Sequence, residues 1–492
     1  MLSHSVPRAE KVRQSVAPNT FASCKSSARR EKVEGLVRTE NNLDKQQALA
    51  VQIQVMRHGL LSNRLPNFKT VVSLPPRTRK QGRPYRLAEL FCGCGGFSHG
   101  FALTGRYSVE LGSELNETFC ETFQRNHQTA SGKAPVVLPG DLTILSRKDL
   151  PLTFKDLGYY SNGRLDVLLG GPPCEGFSQN KRSEQLDPDT GERNYGGYNK
   201  YLNDPRNFLV QHFLRMVEDL APKVVVIENV PQILTHDHGR FGIQISARLR
   251  GLGYLVKREI LFAPEFGIPQ LRRRAFFLAV REDLVKKVGW VPDFPPRQTH
   301  YRIDDEIPPF PVLNRPVTVR DAIGDLPESS EIEQGGKPVS NYPATEDLGE
   351  YPLRLRSKVQ TPFNHIHRTV RDSALRRLKA MKPGMRMEHL PEHLRTKSWY
   401  FNCYGRLDWE YQARTITKSC NYVGSGCFGH PSQHRGITMR EAARLQSFDD
   451  DFRFWSDSEH QVSHMIGGAV PPLLAKAIAE SIVAFLDQVN EK

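Results

Sequence analysis

Between Arg86 and Val280 short apolar runs alternate with longer stretches in which apolar residues recur every three or four positions. The runs are 86–91 (RLAELF), 107–113, 165–169, 224–227 and 275–280. Runs this short, bounded by Gly, Pro or charged residues, predict strands, whereas 116–126 and 207–220 carry the helical period. Strands alternating with helices form βαβ units, so the predicted fold class is α/β with a mainly parallel sheet. The pattern then breaks. Residues 291–362 contain 12 prolines, and a residue without a backbone N–H cannot sit inside a regular sheet. A separate, loop-rich segment is therefore predicted from about residue 282. Residues 438–486 turn helical again. Before the first strand, 1–42 lack any periodic pattern, 43–56 predict one helix, and 74–84 (LPPRTRKQGRP) form a basic linker.

Length and composition narrow the class. The chain has 492 residues, 38% of them hydrophobic, enough for a substantial core and more than one domain. It has no unbroken apolar run of the length a bilayer demands, so no transmembrane helix is expected. Eight cysteines without regular spacing do not make a disulfide framework and point to a reducing compartment. The charge is uneven: of the net +14, residues 1–84 supply +11, from 16 basic and 5 acidic side chains. A basic extension suits a polyanionic partner, most simply nucleic acid. An Arg-rich, acid-poor start also fits a transit peptide, and the two readings stay open.

Candidate chemistry gathers at the strand ends. After the first strand stands Phe91-Cys92-Gly93-Cys94-Gly95-Gly96, where glycines let backbone approach a nucleotide-like ligand. Glu114, 21 residues after Gly93 at the end of the second strand, can accept from ribose hydroxyls. Asp141 closes a third strand run in Pro139-Gly140-Asp141; alone it would be a helix cap. The stretch 166–178 (DVLLGGPPCEGFS) carries Cys174 on a loop shaped by two glycines and two prolines. A cysteine at the carboxyl end of a strand is placed for reactivity, since the thiolate is the nucleophile. Glu228 and Asn229 end the apolar run VVVIEN, a capping pair or an acid–base site. Gln270, Arg272 and Arg274 alternate and so share one strand face, with Arg273 opposite. Cys420, Cys427, His430 and His434 lack the usual zinc spacing and are taken as loop residues; no metal is expected.

These motifs, in this order, resemble the cytosine-C5 DNA methyltransferase family, bacterial type: FCGCGG, GGPPCEGFS, ENVP, QLRRR, RGITMREAARLQSF (435–448) and MIGGAVPPLLAKAIAESI (465–482). The resemblance implies a Rossmann-like domain that uses S-adenosylmethionine, spanning 85–281 and completed by 436–492. It also implies a smaller target-recognition domain over 282–435, behind the extension 1–84. It implies that Cys174 attacks cytosine C6, that Glu228 holds N3 and the exocyclic amine, that Arg274 serves O2 and that Arg272 supports the loop or a phosphate. Phe91, Gly93, Gly95, Gly96, Glu114, Asp141, Pro172, Gly468 and Val470 would hold the cofactor. The chain departs from the family's pattern at Gly468, where an Asn is usual, and loses an amide beside the cofactor.

The partner so implied is double-stranded DNA, its target base flipped out of the helix, with a restriction endonuclease as a candidate second partner. Nothing requires more than a monomer. Location follows the DNA: cytoplasmic in a prokaryote, nuclear in a eukaryote. The basic, His-containing stretch 365–399, net +6, is read as a phosphate- and groove-contacting surface. Two competing readings are an RNA methyltransferase, which shares the catalytic set, and a non-catalytic DNA-binding protein. Cys174 and Glu228 argue against the second.

Overall fold

A computed structural model describes residues 83–140, 165–173, 209–305, 313–331, 341–342, 348–356, 361–396 and 403–491. The helix expected at 43–56, Asp141, Cys174 and the end of the basic stretch, 397–399, lie outside the described residues.

The apolar runs become strands: β1 (Tyr85–Leu90), β2 (Tyr107–Glu114), β3 (Val136–Pro139), β4 (Val167–Gly170), β5 (Val224–Asn229), β6 (Tyr254–Phe262), β7 (Gln270–Leu271) and β8 (Arg273–Arg281). Seven of them form one sheet, ordered β3-β2-β1-β4-β5-β8-β6. The first five run parallel, and β8 joins antiparallel to both β5 and β6. Strand β6 (YLVKREILF) was not anticipated. It lies at the sheet edge with Lys257, Arg258 and Glu259 at its middle, so it has no apolar run to betray it.

Along each central strand successive side chains enter different cores, as the two-residue period requires. Val167, Leu169, Val224, Val226 and Phe276 join one buried cluster; Leu168, Val225, Ile227 and Phe277 join the other. Helices α3 (Leu209–Leu220) and α4 (Arg240–Gly251) contribute to the second. Covering the first are α1 (Gly96–Ala102), α5 (Glu282–Val288), α6 (Val319–Ile323), α8 (Met439–Leu445), α9 (Glu459–Gly468) and α10 (Pro472–Glu491); α2 (Glu117–Asn126) follows β2, and α7 is Asp372–Ala380. Residues 459–491 are apolar and long enough for a membrane span by composition, yet Leu474, Ile478, Ile482 and Phe485, spaced along one face of α10, are buried in this core.

The Pro-rich segment is loop-rich, with only short pieces such as β9 (Ser330–Glu331) paired to β10 (Ile366–His367). Its apolar residues are not isolated: Phe294, Val317, Ile323, Tyr351 and Leu355 join the first core cluster. A smaller cluster of Met381, Met387, Leu390 and Cys403 stands apart. Sheet order reverses at β1, whose neighbours β2 and β4 lead in opposite directions. In open α/β sheets the crevice outside the strand ends at such a switch point is where ligands bind.

Candidate active site

Register brings the key loops together before any side chain is considered. Leu90, the last residue of β1, pairs with Gly170, the last of β4, and Gly170 pairs with Ile227 of β5. The glycine loop, the Gly171-Pro172-Pro173 loop and Glu228 therefore leave the sheet side by side. Phe91 starts the glycine loop with a positive φ of 54°, an uncommon conformation for a residue with a side chain. At Gly96 a Cβ would stand 2.8 Å from the Val470 carbonyl oxygen and 2.9 Å from Ala469 Cβ and the Phe448 ring. The loop after β1 and the turn before α10, far apart in sequence, thus touch at a point where only glycine fits.

Glu114 faces this loop. Its Oε2 accepts from the Gly93 amide at 3.0 Å, and its Oε1 accepts from the Leu115 and Asn116 amides at 2.9 and 3.1 Å. An ionised carboxylate has about four acceptor positions, so three amides leave capacity for a ligand hydroxyl. The space a Cβ at Gly93 would take is open. These two features fit an adenosyl group. Cys92 and Cys94 are buried, and burial pushes both thiols well above their ordinary value, so neither is a ready nucleophile.

Beneath the loop lies a network that sequence reading missed. Glu89, read as part of an apolar strand, is buried and accepts from the Ser98 amide at 3.0 Å. Burial pushes its carboxyl up to about 8. His127 Nδ1 donates to the Phe123 carbonyl at 2.8 Å, which leaves Nε2 to accept from the Ser98 hydroxyl at 3.1 Å. Burial lowers this imidazole to about 3 and keeps it neutral. The network fixes the first turn of α1 from below.

Across the crevice, Arg274 Nε donates to Glu228 Oε1 at 3.0 Å, with the side chains 18% and 13% exposed. Burial lowers the Arg274 guanidinium and Glu228 pulls it back up. The other carboxylate oxygen, Oε2, is 3.5 Å from where a Cβ of Gly171 would stand, so it lies against the loop that reaches Cys174 three residues later. Asn229 holds the same loop: its amide donates to the Pro172 carbonyl at 3.0 Å. Asn229 was read only as a strand-capping partner of Glu228.

Arg272 takes a different part from Arg274. It is buried and donates to the carbonyls of Ile416 (3.2 Å), Gly467 (3.2 and 3.3 Å) and Ala469 (3.0 Å). With both terminal nitrogens on main-chain carbonyls it braces the turn 467–469; a direct phosphate contact does not fit this placement. Gln270 helps: its Oε1 accepts from Ile416 N at 2.9 Å and its Nε2 donates to the Leu445 carbonyl at 3.2 Å. Gln446 donates to the Ala469 carbonyl at 2.7 Å. β7 itself pairs with β11 (Ala413–Arg414).

The His/Cys set near 420–434 is dispersed in role. His430 Nδ1 accepts from the Ser432 and Gln433 amides at 3.2 and 3.0 Å, and Arg406 meets His434 Nδ1 at 3.0 Å. Among the described residues no group of three or more His, Cys, Asp or Glu is arranged to hold a metal.

The family model of C-5 cytosine-specific DNA methylases matches residues 85–484. The chain is 32% identical over 399 residues to the Type II methyltransferase M1.HphI of Haemophilus parahaemolyticus, covering 80% of this chain and 86% of that one. It is 31% identical to the Type II methyltransferase M.DdeI of Desulfomicrobium norvegicum, covering 82% and 90%. In fold it is similar to a crystal structure described as a prophage-encoded DNA modification methyltransferase of E. coli, with a TM-score of 0.58, 21% identity, and coverage of 82% and 99%.

Proposed function

The chain belongs to the C-5 cytosine-specific DNA methylases, and from that premise we propose that it methylates C5 of a cytosine flipped out of duplex DNA, by way of a covalent bond between Cys174 and C6. The observation that carries the reading is the Arg274–Glu228 pair, 3.0 Å apart, set against the loop that leads to Cys174.

Cytosine C5 is a poor nucleophile. Addition of the Cys174 thiolate forms an S–C6 bond and moves the C5–C6 π pair toward C5 and the N3–O2 side of the ring. Glu228 holds N3 and the exocyclic amine, and Arg274 donates to O2, where negative charge accumulates. S-adenosylmethionine, when bound, supplies the electrophilic methyl group that C5 takes. Loss of the C5 proton then returns the electron pair to the C5–C6 bond and expels Cys174 as thiolate, so one hard step becomes two easier ones. Glu114, the loop with Phe91, Gly93, Gly95 and Gly96, and the walls at Pro172, Gly468 and Val470 would hold the methyl donor, together with Asp141. Arg272 acts by bracing the 467–469 turn.

Segment 282–435 would read the DNA site. Arg371, Arg376, Lys379 and Lys382 are exposed around α7, which suits phosphate contacts. The Type II relatives support a setting beside a restriction endonuclease. The test is incubation with labelled S-adenosylmethionine and duplex DNA, tRNA or no nucleic acid in parallel, followed by mapping of the modified bases. Label at cytosine C5 in duplex DNA is expected; label confined to tRNA would move the substrate to RNA. Removing residues 1–84 should flatten the dependence of DNA affinity on salt and leave the methylated sequence unchanged, because phosphate contacts add affinity without reading bases. A changed site in bisulfite sequencing would place part of the reading surface before residue 85.

A further inference from the structure

We propose that Tyr422 is a DNA-contacting residue of this chain, its ring stacking on a base left exposed when the target cytosine swings out of the duplex. The inference rests on the reading that the chain flips a cytosine out of duplex DNA. Three observations carry it: the ring is open to water, it is rigidly held, and its segment is pinned to the crevice. Tyr422 is 54% exposed, the most open aromatic residue among the described residues.

Its support is nonetheless ordered. The Tyr422 amide donates to the Ser419 carbonyl at 3.1 Å, and the Tyr422 carbonyl accepts from the Ser425 amide at 2.9 Å. The Tyr422 hydroxyl meets that of Tyr404 at 3.3 Å, with the two rings 6.5 Å apart at 66°. Gly424 passes beneath both rings: a Cβ there would stand 2.6 Å from Tyr422 Cε1 and 2.9 Å from Tyr404 Cζ. Tyr404 holds a positive φ of 53°, a conformation that costs energy in a residue with a side chain. The Arg377 guanidinium lies over the Tyr404 ring, 4.9 Å from its centroid. That guanidinium is itself fixed to the Leu394 and Ser373 carbonyls at 2.7 and 3.0 Å. A tyrosine pair backed in this way and open to water is a preorganised contact surface, which loses little freedom on binding.

The segment that carries Tyr422 starts at the crevice. Ala413 and Arg414 pair with Gln270 and Leu271, and Arg272 donates to the Ile416 carbonyl. Asn421 Oδ1 meets the hydroxyl of Ser463, four residues before Gly467 on α9, at 3.0 Å. Tyr422 follows directly. Chemistry then selects the ligand. Arg377 stacks on Tyr404, and Arg376 and Lys379 of α7 and Arg414 of β11 are exposed. Rings set among cations suit nucleic acid, whose bases offer flat faces beside anionic phosphates. The Tyr422 hydroxyl already meets Tyr404, so the ring is the surface it presents. A ring reads no sequence, but it replaces stacking that a duplex loses when one base leaves.

The test measures binding of the full-length protein by fluorescence anisotropy, on a duplex carrying the methylated site and on one without it. Tyr422→Ala should weaken the site-bearing duplex about tenfold, the scale of one base–aromatic stack. It should leave the siteless duplex, and the salt dependence of both, as in the unaltered protein. Tyr422→Leu keeps apolar bulk without a flat ring and should lose the site likewise, whereas Tyr422→Phe should bind like the unaltered protein. With 2-aminopurine at the target position, whose emission rises when it leaves the stack, Tyr422→Ala should give the smaller rise. A loss in Tyr422→Phe equal to that in Tyr422→Ala would assign the effect to the hydroxyl and overturn the proposal. Equal weakening on both duplexes, or no weakening on either, would overturn it too, the latter leaving the ring to a protein partner. So would a denaturation midpoint lowered in step with affinity in both Tyr422→Ala and Tyr422→Leu, because the ring would then be structural. An unaltered protein that methylates no duplex DNA would instead sink the methylase reading, before Tyr422 is at issue.

Discussion

Two arginine–carboxylate systems in this molecule obey opposite rules. In the core, Arg444 of α8 donates to both oxygens of Asp450 at 3.0 and 2.6 Å and to the Ala322 carbonyl at 3.1 Å, and also pairs with Asp325. All three charged side chains are 3% exposed or less. Arg356 adds a bond to Asp325 at 2.6 Å. In the crevice, Arg274 and Glu228 share one bond, Arg274 donates once more to its neighbour's carbonyl, and both remain partly exposed. Among the described residues, Arg274 Nη2 and Glu228 Oε2 have no hydrogen-bond partner. A buried charge must have its bonding capacity filled or it costs stability. A pair that works on a ligand keeps capacity in reserve and is held by only part of its donors. The first system joins distant segments around α8; the second is poised for a third party.

The sharpest way to break the contrast is to remove one partner from each. Arg444→Met should leave Asp450 with Arg440 alone, at 3.7 Å, and Asp325 with Arg356 alone, and the partly uncompensated buried charge should cost about 3 kcal/mol in chemical denaturation. Any loss of methyl transfer should follow the fraction unfolded. Glu228→Gln should behave in reverse: stability within about 1 kcal/mol of the parent, and kcat reduced about 100- to 1000-fold, the range for a lost polar contact to developing charge. If Glu228→Gln lowers the denaturation midpoint as much as Arg444→Met, the crevice pair is structural and the contrast fails.

A smaller effect concerns Glu89, which is buried like Arg444 but, among the described residues, has no cationic partner. With its carboxyl pushed up to about 8, the folded chain keeps this proton where the unfolded chain has released it. Its contribution to stability is therefore full below the ordinary carboxylate range and fades as pH rises through about 8. Denaturation midpoints compared between about pH 5 and pH 9 should fall less in Glu89→Gln than in the parent. Equal slopes would mean that the carboxyl is ionised in the folded state.

How far the sequence made this legible depends on which signal each element carries. β4 and β5 have buried cores, so VLL and VVVI stand out as apolar runs, and the chemistry-bearing Gly171 and Glu228 lie at their carboxyl ends. β6 is a charged edge strand and hides. The capping box at α8 was not named from the sequence: Glu441 N donates to Thr438 Oγ1 at 3.1 Å and Thr438 N donates to Glu441 Oε2 at 2.8 Å. The alternation of Gln270, Arg272 and Arg274 reads as one strand face, but β7 ends at Leu271 and β8 begins at Arg273, so Arg272 lies between two strands of different sheets, and spacing alone cannot tell a guanidinium spent on carbonyls from one facing a ligand. Asn229 against Pro172, Glu89 under Ser98 and Tyr404 against Tyr422 are contacts between segments distant in sequence. No local pattern encodes them.

The central claim is that Cys174, and no other thiol, attacks the base. Duplex DNA of mixed sequence with every cytosine replaced by 5-fluorocytosine tests it directly, because fluorine at C5 cannot leave as a proton and the enzyme cannot be expelled. With S-adenosylmethionine present, the account predicts a protein–DNA adduct that survives denaturing electrophoresis, absent from Cys174→Ser, with the cross-linked peptide mapping to Cys174. A cross-link at Cys92 or Cys94, whose thiols burial holds protonated, or an adduct that persists in Cys174→Ser, would contradict it.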